Sequence, residues 1–531
     1  MNAGGGGRTA AGGRTSQLRW AAAFVVSVGA AFGLAYAAQE SGDSTTRLSS
    51  TAGMVVGVAG AFWSFIFGLL LVRFVTGLEW APLGVARTTI EEALRKKVVL
   101  AILLLLLVLL TGLPFAQDES TLPKYRVQLF LDSGLGGASL LLGLMNIFLA
   151  CSTLAHELED QRAFVTLTKP IGRGAFLLGK WLGLALLNVL LLGVIGLTIV
   201  GYSRFMASLP VDHDQESVAM AEEVLAARIP VEPVEDNTEK VAALLKQLKE
   251  ANDPSLKETS EETLKRNLWQ RVHNDLRSLS PFERVGFEFE NLKPAVLSDT
   301  TQLQLRPEVA ALPLEGVVNL ELEVRGTVYK LALKPRVLQS VALPSRVIDA
   351  EGKLQIFLTN RLAGTAQFPQ GITVSFSGMD SLQILYNTGS FEGNLARGLM
   401  LLWVRASFLG ALGLCAAAGL GFPVACLLSL VLYMIALISG FLRDSITYAI
   451  ENQSEDLTKF SKPLYVFVRD LADILAKYSD FSPGPALSDG LCIPWAFVAN
   501  GFLWVGLIWG GLCFLLAWLV FSRRELGRVQ V

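Results

Sequence analysis

The sequence predicts an α-helical integral membrane protein of about eight transmembrane helices, with an α+β extracytoplasmic domain inserted into it. Three observations carry this reading. Apolar runs of membrane-spanning length recur along the chain, Lys and Arg concentrate in alternate loops, and the apolar period changes within one long polar segment. The 531 residues are 52% hydrophobic and only 17% charged, whereas soluble chains carry roughly 25% charge. Charge is missing from the runs and ordinary between them, which a single apolar soluble core would not produce.

The runs fall near 20–38, 52–74, 98–115, 134–152, 176–201, 398–420, 423–442 and 494–521. A helix needs about 20 apolar residues to cross hydrocarbon, because unpaired backbone cannot face lipid. The first run follows Arg8, Arg14 and Arg19 and ends by Ala35-Tyr36-Ala37. It is expected to be a retained span, with a removed signal peptide as the alternative. Only Gly421-Phe422-Pro423 separates the sixth and seventh runs, and proline cannot continue the preceding helix.

Loop charge sets the orientation. One set of loops holds Arg8, Arg14 and Arg19, then Arg87, Arg95, Lys96 and Lys97, then Arg162, Lys169, Arg173 and Lys180, then Arg523, Arg524 and Arg528. The opposite set holds Arg47, Lys124 and Arg126. Eight spans put the richer loops and both termini in the cytoplasm.

The segment 202–397 then lies outside. Val241, Leu244, Leu245 and Leu248 recur at helical spacing, as do Leu264, Leu268, Val272 and Leu276, the latter behind a Thr259-Ser260-Glu261-Glu262 capping pattern. From about residue 283 the period becomes two, in Val285/Phe287/Phe289, Val318/Leu320/Leu322/Val324, Leu354/Ile356/Leu358 and Ile372/Val374/Phe376. Gly326, Gly352 and Gly378 punctuate these runs, so a helical hairpin followed by a small antiparallel β-sandwich is expected. Near the end of the chain, Leu464, Phe467, Val468, Leu471, Ile474, Leu475 and Tyr478 share one face of an amphipathic helix over 462–479. It lies on the membrane surface or packs as an ordinary loop helix.

Several chemistries are disfavoured. A net charge of −2 gives no footprint for nucleic acid. The five cysteines form no C-x-x-C pair and the three histidines no metal spacing; His156-Glu157 lacks the second histidine of a zinc-protease helix. Gly174-Ala-Phe-Leu-Leu-Gly179-Lys180 matches the first seven places of a phosphate-binding loop, but Trp181 stands where a magnesium-holding hydroxyl is needed, and the run opens a membrane helix. Lys180 is instead expected to anchor the helix end at the headgroups.

The informative loop is 153–180. It mixes charges of both signs, with Phe164, Val165 and Leu167 between them, and Pro170 ends its helical stretch. That composition suits docking into a groove on a soluble partner. The loop resembles the coupling region of type 2 ABC exporter permeases, at Glu157, Glu159, Asp160, Arg162, Lys169, Pro170, Arg173, Gly179 and Lys180. Upstream, Thr89 to Lys97, with Glu91, Glu92, Arg95, Lys96 and Lys97, resembles the family's elbow helix, and Phe521 to Leu526 resembles its usual ending.

The resemblance implies a division into 1–83 (an added transmembrane hairpin), 84–201 (elbow helix and first half of the permease core), 202–397 (extracytoplasmic domain) and 398–531 (second half of the core). It implies a multi-pass protein of the bacterial cytoplasmic membrane that pairs with itself or a related permease. A separate ABC ATPase subunit would dock on the coupling loop. No cofactor is expected in this chain, since ATP and magnesium belong to the partner, and the outer domain is free to engage an external partner. A membrane-anchored scaffold, or a subunit that transmits force to its outer domain without moving cargo, is the reading from another class.

Overall fold

In the computed structural model, the described residues are 60–524 except 61–62, 78, 114–122, 161–170, 209–222, 236, 251–260, 294–299, 312, 314–315, 362–370, 379, 453–469, 471–472 and 474–475. The chain divides into two compact units, Met1–Leu225 with Phe391–Val531, and Ala226–Ser390.

The first unit is helical. Its elements are α1 (Trp63–Val75), α2 (Ala81–Arg95), α3 (Val98–Gly112), α4 (Pro123–Glu159), α5 (Arg173–Ser208), α8 (Phe391–Gly419), α9 (Phe422–Asn452) and α10 (Trp495–Arg523). The numbers α6 and α7 fall in the second unit. Among the described residues five helices, α4, α5, α8, α9 and α10, are long and apolar enough to cross a membrane. Each coincides with an expected span. Expected spans 52–74 and 98–115 correspond to the shorter apolar helices α1 and α3, and 20–38 lies outside the described residues. The 15 residues of α3 reach only about 22 Å, short of a hydrocarbon core of roughly 30 Å.

The long helices exceed the apolar runs that announced them. Hydropathy marks only the stretch that suits lipid, whereas helical hydrogen bonding continues into polar sequence. Thus α5 runs on through Ser203 and Arg204 to Ser208, and α8 begins at Phe391 rather than near 398. Pro423 sits in the first turn of α9, where its missing N–H costs nothing. One continuous core binds the unit, with Leu142, Leu149, Leu184, Leu191 and Leu409 among its buried members. Inside it, Asn146 and Asn188 exchange amide hydrogen bonds at 2.8 and 3.0 Å, so neither buried amide is left unpaired.

The second unit begins on β1 (Ala226–Val231), continues through α6 (Asn237–Glu250) and α7 (Glu261–Leu276), and ends on β11 (Leu382–Ser390). The two helices bury Leu245, Leu264 and Leu268 against each other, as their spacing predicts. Thr259 and Ser260 of the capping pattern before α7 lie outside the described residues. Between α7 and β11 come β2 (Ser278–Leu279), β3 (Arg284–Phe289), β4 (Thr300–Leu305), β5 (Glu308–Val309), β6 (Val318–Val324), β7 (Thr327–Leu333), β8 (Gln339–Pro344), β9 (Leu354–Asn360) and β10 (Val374–Ser375). They form antiparallel sheets ordered β1-β11-β4-β8, β2-β10-β5 and β3-β9-β6-β7 around one core. Alternation is visible in β6, where Val318, Leu320, Leu322 and Val324 are buried and the residues between are half-exposed. Arg325 and Gly326 turn β6 into β7 with positive φ at both positions (48° and 80°), the backbone a tight hairpin requires. First and last strands pair, with Ala226 opposite Ser390.

An ion cluster ties the end of α7 to the connection between β1 and α6. Arg277, 2% exposed, pairs with Glu235 and, at 2.8 Å, with Glu232. His273 Nδ1 lies 2.7 Å from Glu235 Oε2, and Asn237 donates to the same oxygen at 2.9 Å. Burial by itself would raise the Glu235 carboxyl, but hydrogen bonds from Arg277, Asn237 and His273, with the Arg277 charge, hold it below the ordinary carboxylate value. A depressed folded value contributes stability that is present above the unfolded pKa, about 4.3, and lost as pH falls through the lower folded one. Residues 226–390 expressed alone should therefore fold cooperatively and lose thermal stability as pH falls below the unfolded carboxylate value of about 4.3. Glu235→Gln should flatten that fall. An unchanged pH profile in the variant would show that the cluster does not carry it.

Candidate functional site: a charged frame around the 160–172 connection

Helix α2 is amphipathic, with Pro82, Val85, Ala86, Thr89, Ile90 and Ala93 on its buried face. This face lies against the first turns of α5, and the approach is made by glycine. A Cβ added at Gly179 would fall 2.5 Å from Val85 Cβ and 2.6 Å from the Pro82 carbonyl oxygen; one at Gly183 would fall 2.9 Å from the Ala86 oxygen. Any side chain at either position would force the helices apart. The small-x-x-x-small spacing of Gly179 and Gly183 is the sequence signal that could have announced this contact.

Next to Gly179, Lys180 does not reach the headgroups as expected. It is 1% exposed, and its Nζ lies 2.6 Å from Glu157 Oε1 and 3.6 Å from Glu92 Oε2. Phe176 covers it from one side, with the ammonium 5.6 Å from the ring centroid. Headgroup anchoring fails because two carboxylates from other helices are nearer than any route to the surface, and an ammonium in apolar packing needs them. Glu92 also meets Lys96 at 2.8 Å, and the Lys96 ammonium reaches the Ser152 carbonyl oxygen at 3.4 Å. One network of alternating charge therefore joins α2, the end of α4 and the start of α5. The resemblance of Gly174–Lys180 to a phosphate loop has a packing explanation: the glycine permits contact and the lysine is neutralised internally.

The other expected residues divide by exposure. Glu91 stays on the exposed side of α2, paired with Arg87 at 3.2 Å and Arg95 at 3.8 Å. Lys97 adopts positive φ (58°) and forms the corner between α2 and α3. Glu157 is turned inward, while Glu159 and Asp160 are exposed at the end of α4. Arg162, Lys169 and Pro170 lie outside the described residues.

Arg173 closes the far side of the connection. Its Nη1 donates to the carbonyl oxygen of Phe521 at 3.0 Å and to that of Ser522, at the C-terminal end of α10. Arg524 in turn donates to the Ala418 carbonyl oxygen at 3.1 Å, at the end of α8. Both cations satisfy carbonyls that a helix end leaves unpaired and sit where its dipole is negative. Phe176 and Phe521 stack at 5.8 Å. Four helix ends are thus fastened beside a connection whose α4 flank carries exposed carboxylates.

Residues 83–228, spanning α2 to β1, match the family described as ABC-2 family transporter protein. No curated protein and no solved structure matches the chain. With this match and its apolar helices, the chain is a multi-pass membrane protein that is similar over residues 83–228 to ABC-2 type permeases.

Proposed function

We propose that the chain is the membrane-spanning subunit of an ATP-driven exporter, and that a separate ABC ATPase docks on residues 153–172. The observation that carries the proposal is the buried Lys180 between Glu157 and Glu92, because it makes the helices on both sides of the connection and the amphipathic α2 one mechanical body. A displacement of the connection by a partner passes into α4, α5 and α2 together. Coupling requires such an element, one that responds differently to two states of the partner. The family match over the same residues supports the choice of partner.

In this reading α2, the 153–172 region and the Arg523–Arg524 end face the cytoplasm, in line with the loop bias in Lys and Arg. Residues 226–390 face the opposite side. Two copies, or one with a related permease, enclose the path, and hydrolysis takes place wholly in the ATPase.

Glu159 and Asp160 are the docking charges to test, because both are exposed at the end of α4. Tagged chain purified from native membranes should retain an ATP-hydrolysing subunit. Glu159→Lys with Asp160→Lys should reduce that retention by about tenfold or more, by placing like charge where the partner expects the opposite. Full retention by a folded double variant would overturn the docking site.

A further inference from the structure

A cavity of about 460 Å³ opens among α8, α9 and α10, near the middle of all three. Its size falls within the ~300–1,000 Å³ of small-molecule sites. Phe408 and Leu412 of α8, Leu432 of α9, and Trp509 and Leu512 of α10 supply apolar walls. The wall from α10 is irregular: Phe502–Gly510 is π-helical, and Trp504, Ile508 and Trp509 belong to that stretch. π-helical turns occur mostly at functional sites.

One cation lines this apolar space, and a second stands behind one of its walls. Lys477 lines it, with its ammonium 3.7 Å from the Trp504 ring centroid, and has no hydrogen-bond or ion-pair partner among the described residues. Arg405, midway along α8 and 4% exposed, lies 4.4 Å from the ring of Tyr478, which also lines the cavity. Its Nε and Nη1 are buried with no hydrogen-bond partner among the described residues. Arg405 and Lys477 each rest on an aromatic face, and neither meets a carboxylate among the described residues. Cations within membrane-spanning bundles are costly and are kept for pathways and ligands. A buried charge calls for an opposite charge.

We propose that this cavity binds a single-chain anionic amphiphile, a long-chain carboxylate in its simplest form. The hydrocarbon lies against Phe408, Leu432 and Leu512, and the anionic head meets Lys477, with Arg405 reinforcing the field from behind Tyr478. The proposal deepens the permease reading by giving its substrate class, and it rests on that reading only for transport. Binding stands apart from it.

The test uses the full chain in phosphatidylcholine nanodiscs, with a dibrominated stearate as quencher of tryptophan fluorescence and its methyl ester as the uncharged control. The chain has ten tryptophans, so a Trp504→Phe variant identifies the signal from the cavity. Stearate should quench saturably at a low fraction of lipid. The ester, and stearate with Lys477→Gln, should need about tenfold more, the scale of one lost charge-assisted contact. Lys477→Arg should restore affinity, and Ala436→Phe should abolish it by filling the space. Equal quenching by acid and ester, or an unchanged Lys477→Gln, would overturn the proposal. So would protection from both quenchers together with cross-linking of Lys477→Cys between copies, which would make the cavity a contact between subunits. ATPase retention measured on the same preparations reports separately on the permease reading.

Discussion

Replacing Lys180 by Met should lower the stability of the purified protein by about 3 kcal/mol and weaken retention of the ATPase proposed to dock on it. Methionine keeps most of the side chain's length, ending one atom short of the ammonium, so the change removes charge and little of the packing beneath Phe176. It strands Glu157, whose Oε2 already lacks a hydrogen-bond partner among the described residues. Removing one member of a buried pair costs about 3–5 kcal/mol because the survivor stays charged in a poor solvent. The lower end applies here, since Glu157 and Glu92 keep 20% and 28% of their side-chain surface. Adding Glu157→Gln to Lys180→Met should recover much of the loss, as no unpaired charge then remains at that contact. Thermal unfolding in detergent measures both variants. A single variant as stable as the parent would mean that the frame does not hold the connection, and the coupling argument would fail with it.

Excising residues 226–390 should have the largest effect on biological output and one of the smallest on the membrane part. The unit has its own strand core and its own helical hairpin core, both made entirely from its own residues. It therefore does not rely on the helical unit for burial of its apolar surface. Its end strands pair at Ala226 and Ser390, where facing Cα atoms of antiparallel strands stand only about 4.5–5.5 Å apart. A short Gly/Ser linker can bridge such a gap. The shortened chain should insert in the membrane and retain the proposed ATPase partner while losing the proposed export in cells. Full export by the shortened chain would make the unit dispensable, and failure to insert would show that the helices depend on it.

Hydropathy made the large-scale plan legible, because lipid imposes a requirement that every spanning helix must meet along its own length. The α6–α7 hairpin and strands β3, β6 and β9 were legible for the same local reason, each being amphipathic with a clear period. The flanking strands were not. In β1, Ala226-Ala-Arg-Ile-Pro-Val carries no alternation, and in β11 Leu382 to Tyr386 are all buried, so neither shows a period of two. A strand buried on both faces reads as a plain apolar run. The charged frame was half legible. Its residues Glu92, Lys96 and Glu157 stood out with the family's motifs, but Lys180 read as a surface anchor because its partners come from helices distant in sequence. The cavity residue Lys477 and Arg405 behind it were not singled out as a pair, and 462–469, 471–472 and 474–475 of the expected amphipathic helix lie outside the described residues.

The pairing of β1 with β11 has a further consequence, for how such a chain can change over generations. A segment whose two ends already meet can be cut out, exchanged or duplicated at a single seam without re-registering the helices on either side. The loop-closure penalty changes only slowly with the length of what is spliced in. The β-rich unit is thus a replaceable cassette, and the selective histories of the two units are free to diverge.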